Sequence, residues 1–164
     1  MLEHPCVFDD QADGVSDVSL LFGVEGLRVA RVESDGSGGR LVRVVTDGET
    51  ASACPSCGVF SQSPKGRVCT RPRDIAYGSH GVRVIWSKQR WRCRESAFPR
   101  GSFTESLPAV RARWRLTTRL RLVVGFAVAE QGRVVSEAAA HYGVDWSIVH
   151  ASFSNVMADL LCVE

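Results

Sequence analysis

The chain has 164 residues, of which 45% are hydrophobic and 23% are charged. This composition is typical of one or two small globular domains and excludes a disordered tail. The longest apolar run, residues 122–129, has eight residues, well short of the roughly 20 that a membrane-spanning helix needs. The N-terminus carries acidic residues where a signal peptide has basic ones, so we expect a cytoplasmic chain with reduced cysteines and no membrane partner.

Charge is distributed unevenly along the chain. Residues 51–133 hold 16 basic and four acidic side chains, a net of +12, whereas residues 1–50 carry −6 and residues 134–164 carry −4. The formal net charge of +2 therefore conceals a basic middle between two acidic ends. Such a segment favours a polyanionic partner.

The first half of the chain has the pattern of short strands. Residues 1–19 form a predicted mobile acidic leader. Segments 27–34 and 40–47 flank a Gly/Ser-rich turn, which predicts a β-hairpin. A third strand is predicted at 81–93, and residues 54–80 are predicted to be mostly loop because they are rich in Gly, Pro and Ser. The alternation directs inward the side chains of Leu27, Val29, Leu41 and Val45, with Val32 as a further candidate.

After Pro108 the pattern becomes helical. Apolar residues recur at helical spacing in three segments, 117–132, 133–143 and 145–161, and Gly132 and Gly143 are suited to ending the first two. The change in composition near residues 103–116 marks the predicted domain boundary.

The most specific motif is Cys54-Pro-Ser-Cys57-Gly58. Two thiolates separated by two residues can bind one zinc ion, and a glycine after the second permits the tight turn. A redox CxxC normally lies at a helix start in a βαβ unit, which is absent here. Cys93, at the end of the third strand, is the predicted third ligand. Residues 94–103 contain no cysteine or histidine, so Cys69, His80 or water is left for the fourth position.

Arginines and the last two helices are the candidates for contact with nucleic acid. Arginine can pair with phosphate, while we expect the neighbouring tryptophans to lie in the core. Residues 133–161 fit a helix-turn-helix, in which Ala139 is the small residue that faces the partner helix, Gly143 forms the turn, and Val149 and Phe153 form the packing face of the second helix. An ordinary pair of antiparallel helices fits as well. The predicted DNA-binding residues are Arg90, Arg92, Arg94, Arg111, Arg113, Arg115, Arg119, Ser147, His150, Ala151 and Asn155, with Ser154 on the same helix face.

Taken in order, the motifs LLFGVEGLRVARVE, CPSCG, RPRDIAYG, RWRCRESAFPRGSFTE, TTRL and GVDWSIVH resemble the N-terminal part of the ISL-three family of insertion-sequence transposases. The resemblance covers about residues 20–164 and implies a zinc ribbon and a helix-turn-helix that recognise terminal inverted repeats. It also implies that Cys54, Cys57 and Cys93 are three of four zinc ligands. The fourth family cysteine falls at position 98, where this chain has Phe98.

The predicted fold is therefore α+β. It consists of a small β-rich zinc-ribbon-like domain at 20–105, followed by a three-helix helix-turn-helix unit at 106–164. In the family, a catalytic domain with three metal-binding carboxylates follows this part, and the acidic residues of this chain have no scaffold that could assemble such a site.

The function predicted from these features is that of the DNA-binding N-terminal fragment of a transposase, not an enzyme by itself. Its expected partners are inverted-repeat DNA in the bacterial nucleoid and, through competition for those ends, the full-length transposase. The alternative is a stand-alone zinc-ribbon and helix-turn-helix transcriptional regulator, and a recombinase subunit that borrows its carboxylates from another chain ranks third.

Overall fold

The computed structural model describes residues 17–77, 80–96, 101–111 and 113–161. Its backbone divides into two compact units, residues 1–115 and residues 116–164. The division falls within residues 103–116, where the composition changes, and ten residues after the predicted end of the first domain at residue 105. Most of the predicted acidic leader, residues 1–19, lies outside the described residues. Its last three residues begin the short helix α1 (Asp17–Phe22).

The first unit is built on a five-stranded sheet. Its strands are β1 (Leu27–Ser34), β2 (Arg40–Thr46), β3 (Pro64–Thr70), β4 (Val82–Arg92) and β5 (Ser102–Thr104). The order is β1-β2-β4-β3, and β5 pairs with the end of β4. Only β2 and β4 are parallel, and the crossover between them carries the CxxC segment and β3. Together with the helices of the second unit, this sheet confirms the α+β prediction.

Strand β2 is buried on both faces, since every residue from Leu41 to Val45 is buried. This is expected of a central strand that has a parallel neighbour. Leu27 and Val29 on β1 are buried as predicted. An irregularity after Val29 pairs Val32 with Val42, but Val32 lies on an edge strand and is 44% exposed.

Strand β3 lies within the segment that was predicted to be mostly loop. Pro64 is its first residue, and Gly66 follows a break in register against β4. Proline at a strand start and glycine at an irregularity are tolerated on an edge strand, although both weaken the sequence signal. Pairing with β4, rather than local pattern, makes this segment extended.

Just after β5, Glu105 is buried and organises a polar network. Its Oε2 accepts hydrogen bonds from Thr46 Oγ1 at 2.7 Å and from the Gln89 backbone N–H at 2.8 Å. Its Oε1 accepts from Trp91 Nε1 at 3.2 Å. The buried Lys88 ammonium lies 3.7 Å from the centre of the Trp86 ring. Burial lowers the pKa of Lys88, and the Glu105 charge opposes this effect.

The second unit contains the three predicted helices: α2 (Thr118–Ala129), α3 (Val135–Tyr142) and α4 (Trp146–Leu161). The Thr117 hydroxyl caps α2 by accepting from the Leu120 N–H. Gly143 ends α3 in the left-handed conformation, at φ +59°. Gly125 allows α2 to pack closely on α4, because a Cβ there would lie 2.7 Å from the Ser152 carbonyl oxygen. Within the described part of the chain, no helix combines the length and apolar character needed to cross a bilayer.

Candidate metal centre and nucleic-acid interface

Cys54 and Cys57 lie in a tight turn between the 3-10 turn Glu49–Ser52 and β3. The Cys54 N–H donates to the Val59 carbonyl at 3.0 Å, and the Gly58 N–H donates to the Cys54 carbonyl at 2.8 Å. Gly58 adopts φ +74°, a conformation that most side chains disfavour. The sequence therefore forms the local knuckle that its spacing and its glycine predicted.

Cys93 comes from a distant segment and is fixed by three hydrogen bonds of the backbone around it. The Ser61 hydroxyl donates to the Arg92 carbonyl at 2.7 Å, and the Arg92 N–H donates to the Ser63 carbonyl at 2.9 Å. The Cys93 N–H donates to the Gly101 carbonyl at 3.2 Å, next to the β4–β5 pairing. The end of β4 is thus attached both to the segment that follows the knuckle and to β5.

The three sulfur atoms form one cluster. All lie within 4.8 Å of one another, and the Sγ atoms of Cys57 and Cys93 are 3.6 Å apart. Two sulfurs bound to one tetrahedral zinc ion are about 3.8 Å apart, given a Zn–S distance of about 2.3 Å. The spacing therefore fits a zinc site held by these three cysteines, as predicted.

The environment of the cluster also favours a thiolate at Cys54. Burial opposes ionisation, but backbone N–H groups of Ser56 and Cys57 donate to its sulfur, and the result lowers the pKa of Cys54 from 9.0 to about 7. The Val59 N–H favours ionisation of Cys57, but burial and the neighbouring sulfurs outweigh it and raise the pKa of Cys57. One sulfur of the cluster is therefore the first to ionise, which prepares it to receive a cation.

Cys69 and His80, the protein candidates for the fourth ligand, are not brought to the cluster. Cys69 lies opposite Ser87 in the β3–β4 pairing. Ser87 is six residues before Cys93, and six extended residues span about 20 Å, so Cys69 is about that far from Cys93. Cys69 is also disulfide-bonded, contrary to the expectation that all cysteines are reduced. His80 lies against Gly38 at the opposite end of β4. Phe98 lies outside the described residues.

A cavity of 370 Å³ adjoins the cluster through Cys93. It is lined by the segment after the knuckle, Val59 to Ser63, and by the end of β4, from Arg92 to Glu95. Arg92, Arg94 and Phe60 are exposed there. The cavity therefore combines an apolar side, two guanidinium groups and one sulfur of the metal site.

The predicted arginines lie in two groups of the first unit, apart from Arg119. Arg90, Arg92 and Arg94 surround Cys93 in the sequence, and the first of them is half-buried. Arg111, Arg113 and Arg115 are exposed in the segment that ends this unit. The Arg111 guanidinium lies 5.0 Å from the centre of the Trp114 ring. Arg119 is half-buried in the first turn of α2.

Helix α4 separates its apolar and polar sides. Val149, Ser152 and Val156 are buried, and Phe153 is half-buried. On α3, the buried small residue is Ala138, whereas the predicted one, Ala139, is half-buried. The remaining predicted residues share the exposed side of α4: Ser147, His150, Ala151, Ser154 and Asn155.

One exposed aromatic residue was missed by the sequence analysis. Trp146, 56% exposed, stacks on His150 with ring centres 5.1 Å apart and planes 16° from parallel. The signal was the spacing of four residues, which places two side chains on one helix face. The pair gives the first turn of α4 a flat aromatic surface.

A comparison with protein families agrees with this metal centre. Residues 50–95 match the family model described as the zinc-finger of transposase IS204/IS1001/IS1096/IS1165, and this range contains the three clustered cysteines. Neither the curated proteins nor the solved structures contain a significant match to the chain. The segment is thus similar to the zinc finger of ISL3-type transposases, which supports a transposase zinc-finger region at residues 50–95.

Proposed function

We propose that this chain is the DNA-binding N-terminal portion of an insertion-sequence transposase and recognises the terminal inverted repeats of its element. The observation that carries the proposal is the zinc-finger match over residues 50–95, with its three cysteines assembled into one cluster. Zinc held by Cys54, Cys57 and Cys93 would join the knuckle to the end of β4. The exposed Arg92 and Arg94 are then held on a rigid support from which they can contact phosphate.

The second unit supplies a candidate for base recognition. We propose that α2, α3 and α4 form a helix-turn-helix unit, with α4 as the helix that enters the major groove. The exposed His150 and Asn155 carry groups that can hydrogen-bond base edges, and Ala151 can contact a thymine methyl group. Because α4 contains no lysine or arginine, we assign the phosphate contacts to the arginines that precede it.

The function that we propose for these residues is DNA binding. Bound to the repeat ends, they would compete with a full-length transposase for the same DNA. A regulator would instead prefer an operator unrelated to those ends, so the preferred sequence distinguishes the two functions.

The test is fluorescence anisotropy with a labelled duplex carrying the repeats that flank the coding sequence, against a shuffled duplex of equal length. We expect tighter binding to the repeat duplex and a steep loss of affinity with salt. Each phosphate contact contributes about 0.9 to the slope of log K against log salt. Equal affinity for both duplexes would contradict repeat recognition, and a flat salt dependence would contradict the phosphate contacts.

Variants separate the two kinds of contact. Arg113→Ala with Arg115→Ala should weaken binding to both duplexes alike and reduce the salt slope. His150→Ala or Asn155→Ala should lose about 1–3 kcal/mol of discrimination, and mainly on the repeat duplex. The control is Gln131→Ala, at an exposed uncharged position between α2 and α3. It should change neither the salt slope nor the discrimination between the two duplexes. If the arginine and α4 variants behave identically, the assignment of α4 to the groove is wrong.

A further inference from the structure

Among the residues that the structure describes, three cysteine thiolates form the metal site, whereas a closed structural zinc site has four ligands. Within the described residues, no histidine, aspartate or glutamate joins Cys54, Cys57 and Cys93 in the cluster. Cys69 is distant and disulfide-bonded, and residues 94–103 contain no cysteine or histidine. Zinc sites with three protein ligands keep the fourth position for water or another exogenous ligand.

The surroundings of the cluster indicate which exogenous ligand suits it. A metal ion that already binds sulfur donors accepts a further soft donor readily. The charged and sulfur-bearing residues that line the adjoining cavity of 370 Å³ are Arg92, Cys93, Arg94 and Glu95. The two arginines, both exposed, outnumber the single carboxylate. A ligand that joins a thiol to carboxylates can therefore coordinate the metal and pair with guanidinium groups at the same time.

We propose that the fourth coordination position is open and binds a small anionic thiol. A metal ion held by the three cysteines would take the thiol as a thiolate, and the thiol proton would pass to solvent. No electron transfer is involved, so binding is reversible. The fraction of chains that hold the thiol depends on the thiol concentration. The inference rests on the metal centre and does not require that the chain bind DNA.

The experiment uses the whole chain loaded with Co²⁺ in place of zinc, with a phosphine reductant so that no thiol is introduced. Sulfur-to-cobalt absorption grows with the number of thiolates. Titration with reduced glutathione should raise this absorption by about a third, the ratio of four thiolates to three. S-methylglutathione, which has the same carboxylates but no free thiol, should leave the spectrum unchanged.

Variants identify which residues form the site. Cys93→Ser should lower the starting absorption, while Cys69→Ser and His80→Ala should not change it. Arg92→Ala should weaken glutathione binding about two- to fivefold, the range expected of an exposed ion pair. The same variant should leave the binding of uncharged 2-mercaptoethanol unchanged, which separates loss of the guanidinium from damage to the metal site.

Two results would overturn the inference. A four-thiolate spectrum before any thiol is added would mean that the chain closes its own site, and its loss in Cys69→Ser would identify the ligand. A three-thiolate spectrum that millimolar glutathione does not change would mean that the open position rejects thiols. Either result leaves the proposal of DNA binding intact, because anisotropy with repeat DNA measures that function separately.

Discussion

Removing the Glu105 carboxylate should destabilise the first unit more than any other single change in its polar interior. Glu105→Ala leaves three donors without their acceptor, on Thr46, Gln89 and Trp91, and leaves the buried Lys88 without its counter-charge. Each hydrogen-bond donor that is left unsatisfied in a buried site costs about 1–3 kcal/mol, and three donors lose their acceptor here. We therefore expect a loss of about 4–6 kcal/mol in the free energy of unfolding.

Two milder variants divide this loss into its parts. Glu105→Gln keeps the volume and one carbonyl oxygen, but its amide nitrogen cannot accept a hydrogen bond, so we expect about 2–3 kcal/mol. Lys88→Met leaves Glu105 with all three of its donors and should cost about 1 kcal/mol or less. Urea unfolding of the zinc-loaded chain, followed by tryptophan fluorescence, measures each value. The reasoning fails if Lys88→Met costs as much as Glu105→Ala.

The same network predicts a dependence on pH at the alkaline end. Since burial lowers the pKa of Lys88, the unfolded chain binds more protons than the folded one between the two pKa values. Stability therefore rises with pH in that window. Glu105 opposes the effect of burial, so Glu105→Gln should lower the pKa of Lys88 further and start the rise at lower pH. An unchanged pH profile in Glu105→Gln would show that the two charges do not interact.

Three further predictions concern the metal and the helical unit. Native mass spectrometry should find one zinc ion on the chain. Phe98→Cys, which places a cysteine where the family resemblance implies one, should retain zinc against a higher chelator concentration. Equal retention of zinc by the two chains would mean that position 98 adds no ligand. A chelator should increase hydrogen exchange in the Cys54–Ser63 segment but not in α2–α4, whereas loss of protection in all three helices would refute a local role for the metal. Gly125→Val should lower the free energy of unfolding of the helical unit by about 1–3 kcal/mol, because its Cβ would meet the backbone of α4. The control is Leu122→Val, at an exposed site on α2, which should change that free energy by no more than about 0.5 kcal/mol.

Elements with a strong local pattern were predictable from the sequence. Alternation located β1, β2 and β4, and helical spacing located α2, α3 and α4 to within a few residues. Strand β3 could not be found in this way. Its pattern is interrupted by Pro64 and Gly66, and its extended form depends on hydrogen bonds to β4, which a local pattern does not contain.

The buried polar network was not predictable for a similar reason. Glu105 follows a three-residue strand, and its sequence neighbours give no sign of burial. Its partners come from β2 and β4, up to 59 residues away in the sequence. A charged residue is a surface residue by default, and only the tertiary fold supplies the donors that make its burial tolerable.

One part of the metal centre could be predicted from the local sequence, and another part depends on the tertiary fold. The knuckle was readable from two cysteines and a glycine because its geometry is local. Cys93 is 36 residues away from Cys57, and it reaches the knuckle only because the end of β4 bonds to both Ser61 and Ser63. These backbone contacts hold the Cys57 and Cys93 sulfurs 3.6 Å apart, close to the roughly 3.8 Å expected of two thiolates on one zinc ion. A site assembled in this way can lack a fourth protein thiolate and still hold its first three ligands in place.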